Sequence, residues 1–247
     1  MRIASGNQLS PTQNLIGNGM QASAKNESVA TDPYFASVVL LAGNDNAADG
    51  TTTFVDQSNN ANVISRTGAI AYPNASVPIG MTPSVDFPGA AGDKLSMPDQ
   101  TWLHVGTGDF TFEFYVNFDL VQNAELLTKW GGTATNWLID YNAGNLRLGI
   151  GGTVPLSRAW TPTAGIWYHV ASPRSGTTCS HWIDGTQLGT TAASSANDAS
   201  GAEAALIGNQ GGSDIPFNGK FASVRITKGV ARYTGTFTSP TLPLQTS

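Results

Sequence analysis

Residues Asp109 to Phe118 alternate strictly: Phe110, Phe112, Phe114, Val116 and Phe118 on one parity, Thr111, Glu113, Tyr115 and Asn117 on the other. A period of two puts the five apolar side chains on one face of a β-strand. Burying each is worth about 1.5–3 kcal/mol before chain entropy is subtracted. A second patterned stretch runs from Gly165 to Leu188. Trp167, His169 and Ala171 alternate with Tyr168, Val170 and Ser172, a Ser175-Gly176 turn follows, and a second β-rich run from Thr177 to Ile183 ends at Asp184-Gly185. Asp-Gly is a strong hairpin signal, because both residues tolerate the positive φ of a type I′ turn. The pattern predicts a three-strand antiparallel meander with aromatic side chains on both faces. Further strands are predicted at Val38–Leu41, around Phe54-Val55 and Val85–Phe87, at Glu125–Trp130, Trp137–Tyr141, Leu146–Ile150 and Ala204–Gly208, and a closing strand at Phe221–Thr227. No long amphipathic helix is predicted.

Residues Met1 to Thr31 break from this pattern. They are rich in Asn, Gln, Ser and Gly, with Ile3, Leu9, Leu15 and Ile16 dispersed and no period of 2 or 3.6. Asp32-Pro33 then favours extended geometry. The expected division is an N-terminal extended arm over 1–32 and a single domain over 33–247, the arm ordering on a neighbouring subunit. Composition narrows the function. With 12 Lys and Arg scattered along 247 residues and a net charge of −5, a general nucleic-acid surface is excluded, since that needs clustered cations. One cysteine, Cys179, rules out an intramolecular disulfide and reads as a small buried hydrophobe. No signal-peptide pattern and no membrane-spanning apolar run is seen, so synthesis in a host cytoplasm without secretion is expected.

The ordered motifs carry a resemblance. Trp167-Tyr168-His169-Val170-Ala171, then Arg174-Ser175-Gly176, then Asp184-Gly185, resemble the laminin-G-like, concanavalin A-like jelly roll. Asp86-Phe87-Pro88-Gly89, Asp93-Lys94-Leu95-Ser96 and Gly108–Phe114 look like its opening strands. Phe217–Phe221 and Val224–Tyr233 look like its closing strand and tail. The tail, ending in Phe237-Thr238-Ser239-Pro240-Thr241, is similar to the version common in bacteriophage structural proteins. The chain departs from the family at Ser172-Pro173, since proline cannot donate to a ladder, and at Ser180-His181-Trp182. The resemblance covers roughly residues 33 to 244. It implies an all-β jelly-roll sandwich of antiparallel sheets and a non-enzymatic virion component, a capsid decoration or a tail or fibre protein. Its partners would be other virion proteins reached through the arm, with homo-oligomerisation. The alternative is a glycan-binding adhesin module, and a glycoside hydrolase ranks behind both.

The residues bear on each alternative. Retaining glycosidases need two carboxylates about 5–5.5 Å apart, which relatives of this fold present as Glu-x-Asp-x-x-Glu on one strand. The four glutamates, Glu27, Glu113, Glu125 and Glu203, form no such set, and Glu113 reads as a solvated or groove-facing strand residue. His104, His169 and His181 have no metal spacing. Many relatives hold Ca²⁺ at the sandwich rim through hard oxygen ligands; Asp86, Asp93 and Asp184 are the candidates here for such a structural ion, and no other cofactor is implied. For a surface glycan, the candidates are Trp130, Asn136, Trp137 and Trp182, as aromatic platforms with an amide hydrogen-bonding group.

Overall fold

The computed structural model describes residues 31–246 apart from 46, 73–83, 132–133, 199–200 and 213. The predicted arm, except Thr31 and Asp32, lies outside them, as does most of the proline-containing connection before Val85. In chain order the strands are β1 (Val38–Ala42), β2 (Ser65–Thr67), β3 (Val85–Pro88), β4 (Lys94–Met97), β5 (Phe110–Phe118), β6 (Ala124–Gly131), β7 (Ala134–Asn142), β8 (Asn145–Ile150), β9 (Thr153–Ala159), β10 (Trp167–Ser175), β11 (Thr178–Cys179), β12 (Trp182–Ile183), β13 (Thr186–Gln187), β14 (Ala192–Ala193), β15 (Ala205–Ile207) and β16 (Asn218–Lys228). Helix among the described residues is limited to two single 3₁₀ turns, Phe35–Ser37 and Thr101–Leu103.

Two antiparallel sheets result. One has nine strands on the path β1-β16-β5-β10-β11-β14, with β3 on β16, β12 on β10 and β13 on β12; the other has seven, β2-β4-β15-β6-β7-β8-β9. The alternating phenylalanines of β5 fill the space between them. Phe110, Phe112, Phe114 and Phe118 are fully buried, and Phe112 meets Trp137 of the facing sheet with ring centroids 4.8 Å apart. Such aromatic pairs add about 0.5–1.5 kcal/mol beyond area burial.

Pro173 sits inside β10, not at its end. Its carbonyl accepts from Ser180 N at 3.2 Å. Because a strand residue points N–H and C=O to the same side, the missing N–H also faces the 178–183 line. The β5–β10 ladder therefore runs unbroken from Trp167↔Asn117 to Arg174↔Phe110. The outer line is split into β11 and β12, in one register: Arg174↔Cys179 on one side of the gap and Ala171↔Trp182 on the other. The departure from the family at Ser172-Pro173 thus costs a ladder bond at one position.

The polar parity of β5 differs from expectation: Thr111, Glu113 and Asn117 are buried too. The C-terminal segment 230–244 runs as a strap over the outer face of the nine-stranded sheet. Tyr115 Oη donates to Pro240 O, Thr111 Oγ1 to Val230 O, and Leu242 and Leu244 pack on Val38, Leu41 and Ala222. A period-2 pattern assigns faces correctly but does not report what later covers the second face.

Candidate functional site

Register fixes which side chains reach the outer face beside the strap. Cys179 points into the core, so alternation turns Ser180 and Trp182 outward, level with Pro173 and Ala171. The Asp184-Gly185 turn joining β12 to β13 has φ of +49° and +78°, the sign a type I′ turn needs at both positions. Gly185 has a second duty: a Cβ there would stand 1.8 Å from Phe237 O, and Phe237 N donates to Gly185 O at 3.1 Å. The strap is pinned at that glycine. Phe237 stacks on Tyr233 with centroids 3.8 Å apart and contacts Trp182 at 5.8 Å.

Between the pinned strap and the short strands lies a groove of about 230 Å³. Tyr233, half-buried, and the edge of a largely buried Trp182, 3% exposed, supply aromatic carbon, and Trp182 Nε1 is satisfied by Ser180 Oγ at 2.8 Å. The polar lining is hydroxyls and one amide: Ser175, Thr178, Ser180, Thr191, Thr234 and Gln187. No formally charged side chain lines it.

Beneath the strap the floor is ionic. Arg225 Nε donates to Glu113 Oε1 at 2.7 Å, Tyr233 Oη to Glu113 Oε2 at 2.7 Å, and His169 Nε2 lies 3.3 Å from the same oxygen. Asp32 accepts from Arg225 at 3.0 Å and from Arg232 at 2.7 Å. Burial alone would raise the Glu113 carboxyl; Arg225 and His169 reverse that and hold it far below the usual carboxylate range. Glu113, expected to be solvated or groove-facing, is instead fully buried, and the network ties together both ends of the domain.

The candidate residues do not converge. Trp182 lines the groove. Trp137 is a core residue, its Nε1 bonded to Leu103 O at 2.8 Å, and Asn136 is buried with its amide towards Gly201 O; neither offers a platform. Trp130 is half-buried, its indole edge against Gly149. Asp86 pairs with Lys220 at 3.5 Å, Asp93 accepts from Ala90 N at 2.9 Å, and Asp184 accepts from His169 N at 2.8 Å. Each has a local structural partner, and among the described residues no three His, Cys, Asp or Glu side chains gather to hold a metal. Sequence reasoning missed Gln187, Thr178 and Thr191, whose hydroxyls and amide carry no signal in isolation.

Two other constellations resemble chemistry. Ser172 Oγ lies 2.8 Å from His181 Nδ1, but both are buried between the sheets, and burial followed by the Arg158 charge pushes His181 down to about 3. Glu125 and Asp140 are direct cross-strand partners, a carboxylate pair from different strands that no single-strand motif could reveal. They are 3% and 1% exposed, and both Asp140 oxygens accept from Arg147, so no cleft serves them. Burial and then the Asp140 charge push Glu125 up to about 8.

Two facing antiparallel sheets, carrying an aromatic and hydroxyl-lined groove, define a lectin-like jelly roll. The chain belongs to the concanavalin A-like lectin/glucanases superfamily, whose family model matches residues 88–232, more than half its length. No curated protein matches its sequence. Among solved structures it is similar to the binding domain of Paraclostridial Mosquitocidal Protein 1 (TM-score 0.62, 13% identity, 79% of this chain and 49% of that one). It is also similar to botulinum neurotoxin type C, whose cellular uptake depends on interaction with two ganglioside molecules (0.60, 12%, 80% and 49%). A third is the binding domain of botulinum neurotoxin DC, in complex with rat synaptotagmin II (0.60, 11%, 80% and 49%). The chain spans about half the length of these structures, and at such identities the likeness is one of fold.

Proposed function

We propose that this protein is a non-enzymatic glycan-binding module of a bacteriophage virion, and that its ligand is an uncharged saccharide held in the groove beside Trp182 and Tyr233. The observation that carries the ligand is the lining: aromatic carbon, five hydroxyls and one amide, without a formal charge. Sugar C–H faces pack on aromatic rings, and hydroxyls and amides both donate and accept towards sugar hydroxyls. Receptor-binding neighbours of the same fold support a binding role. The virion setting rests on the likeness of the Val224–Thr241 tail to bacteriophage structural proteins. In that setting the arm over 1–32 docks on other virion proteins and the protein forms a homo-oligomer. The sealed Glu125–Asp140 pair supports a non-enzyme.

A screen of neutral oligosaccharides tests the ligand. A saturable binder whose affinity falls about tenfold in Gln187→Ala, a loss of about 1.4 kcal/mol, is the expected result. Binding that survives both Gln187→Ala and Thr178→Val unchanged overturns the groove. The setting is tested by mass spectrometry of purified particles, where the chain should be found in stoichiometric amount. Released reducing ends that vanish in Glu125→Gln overturn the non-enzymatic reading.

A further inference from the structure

A second cavity, of about 330 Å³, opens near the end of β16, lined by Thr101, His104, Gly106 and Lys228. Family resemblance implies carboxylates and calcium at such a rim, but no Asp or Glu lines this cavity. Lys129, its side chain fully buried, lies 2.6 Å from Asp99 Oδ1, and His104 Nε2 lies 2.9 Å from the same oxygen. His104 Nδ1 lies 2.9 Å from Asp198 O. Both ring nitrogens therefore face acceptors. The anions are already engaged. Asp99 serves Lys129 and His104, and the buried Asp198 carboxylate accepts from Val105 N at 2.9 Å and from Gly106 N. Lys228 is the cation left over: it donates to Thr101 O at 3.2 Å, and among the described residues it forms no ion pair.

We propose that this rim cavity is a binding site for an oxyanion, a carboxylate, sulfate or phosphate group, held by the Lys228 ammonium beside Thr101. Lys129 pairs with Asp99, and the backbone N–H groups of Val105 and Gly106 serve Asp198, so neither carboxylate is paired with Lys228. An ammonium is a strong point-charge partner for such a group. The cavity is larger than a bare anion requires, so the group is a substituent on a larger molecule, such as an acidic sugar unit. The site shares no residue with the Trp182 groove and does not depend on the reading of that groove.

The test is a ¹H–¹⁵N titration of the full chain with sulfate, phosphate and glucuronate in turn, with glucose as the neutral control and sodium chloride matching ionic strength. Saturable shifts centred on Thr101, Gly106 and Lys228 are expected with at least one anion and not with glucose. Glucuronate acting alone assigns a sugar-borne carboxylate; sulfate or phosphate acting alone assigns a tetrahedral oxyanion. Lys228→Met should weaken binding about tenfold, equivalent to about 1.4 kcal/mol, while Lys228→Arg retains it. No saturable shift with any anion, equal shifts with glucose, or undiminished binding in Lys228→Met overturns the site. Because the shifts are read on the unaltered chain, the result stands even if a variant folds poorly.

Discussion

Single residues in this protein carry charge into places where charge is costly, and two glutamates show opposite outcomes. Glu125 has a folded-state value of about 8 against an ordinary 4.5. Between those limits the folded chain holds a proton that the unfolded chain has released, so stability falls as pH rises, and the full penalty, on the order of a few kcal/mol, is reached above about pH 8. Glu125→Gln keeps the shape and removes the charge. Urea denaturation should show the variant and wild type nearly equal at pH 5 and the variant clearly more stable at pH 9; a constant difference at both would assign the pH dependence elsewhere. Glu113 is shifted downward, so its contribution is present at neutral pH and is lost on acidification. Glu113→Gln leaves Arg225 without its main counter-charge and should cost about 3–5 kcal/mol at pH 7, the usual penalty for breaking a buried pair from one side.

At the scale of elements, β5 shows how far alternation can be trusted. Phe112→Ala should cost about 3–5 kcal/mol, as emptying a buried aromatic site does. On pattern alone Thr111→Ala would cost almost nothing. The strap changes that, since Thr111 Oγ1 donates to Val230 O and accepts from Arg232 N at 2.9 Å, and about 1–3 kcal/mol is expected. Thermal melts of the two variants separate these expectations. The β12–β13 turn couples to the strap through Gly185. Gly185→Ala meets both a positive φ and the Phe237 carbonyl, so it should destabilise by about 2 kcal/mol or more and expose the strap to protease. A variant with unchanged melting and cleavage would separate the turn from the strap.

For the whole molecule, the buried network makes residue 32 part of the body. Asp32 is 4% exposed at its side chain and paired to both Arg225 and Arg232, so an arm ending at residue 32 includes one residue that the domain needs. A chain beginning at Thr31 should melt higher than one beginning at Pro33, because the shorter chain leaves two buried guanidinium groups short of a partner. Equal melting temperatures would show that the arginines find other compensation. Sandwich, strap and network together frame a neutral groove beside Trp182, while the end of β16 opens on a rim cavity with a surplus cation.

What the sequence determined by itself is the local pattern. The period of two along β5, the aromatic alternation of Trp167 to Ser172 and the Asp184-Gly185 turn follow from backbone geometry acting over a few residues and indicate antiparallel strands, while the jelly roll is what the resemblance of the ordered motifs to a known family implies. Weakly patterned segments were not legible: β9 contains Pro155, β2 is three exposed residues, and β14 lies in a run of small residues. Only the tertiary structure decided which side chains share a site. Trp137 and Trp182 look alike as sequence, yet parity and sheet position send one into the core and the other to the groove wall. Glu125 and Asp140 become neighbours only through β6–β7 register, and Lys228 at the end of β16 shares a cavity with His104, which follows the Thr101–Leu103 turn, only through the tertiary fold. Sites are made of long-range contacts, and a period of two carries no information about which strand, loop or strap will lie across the face that it defines.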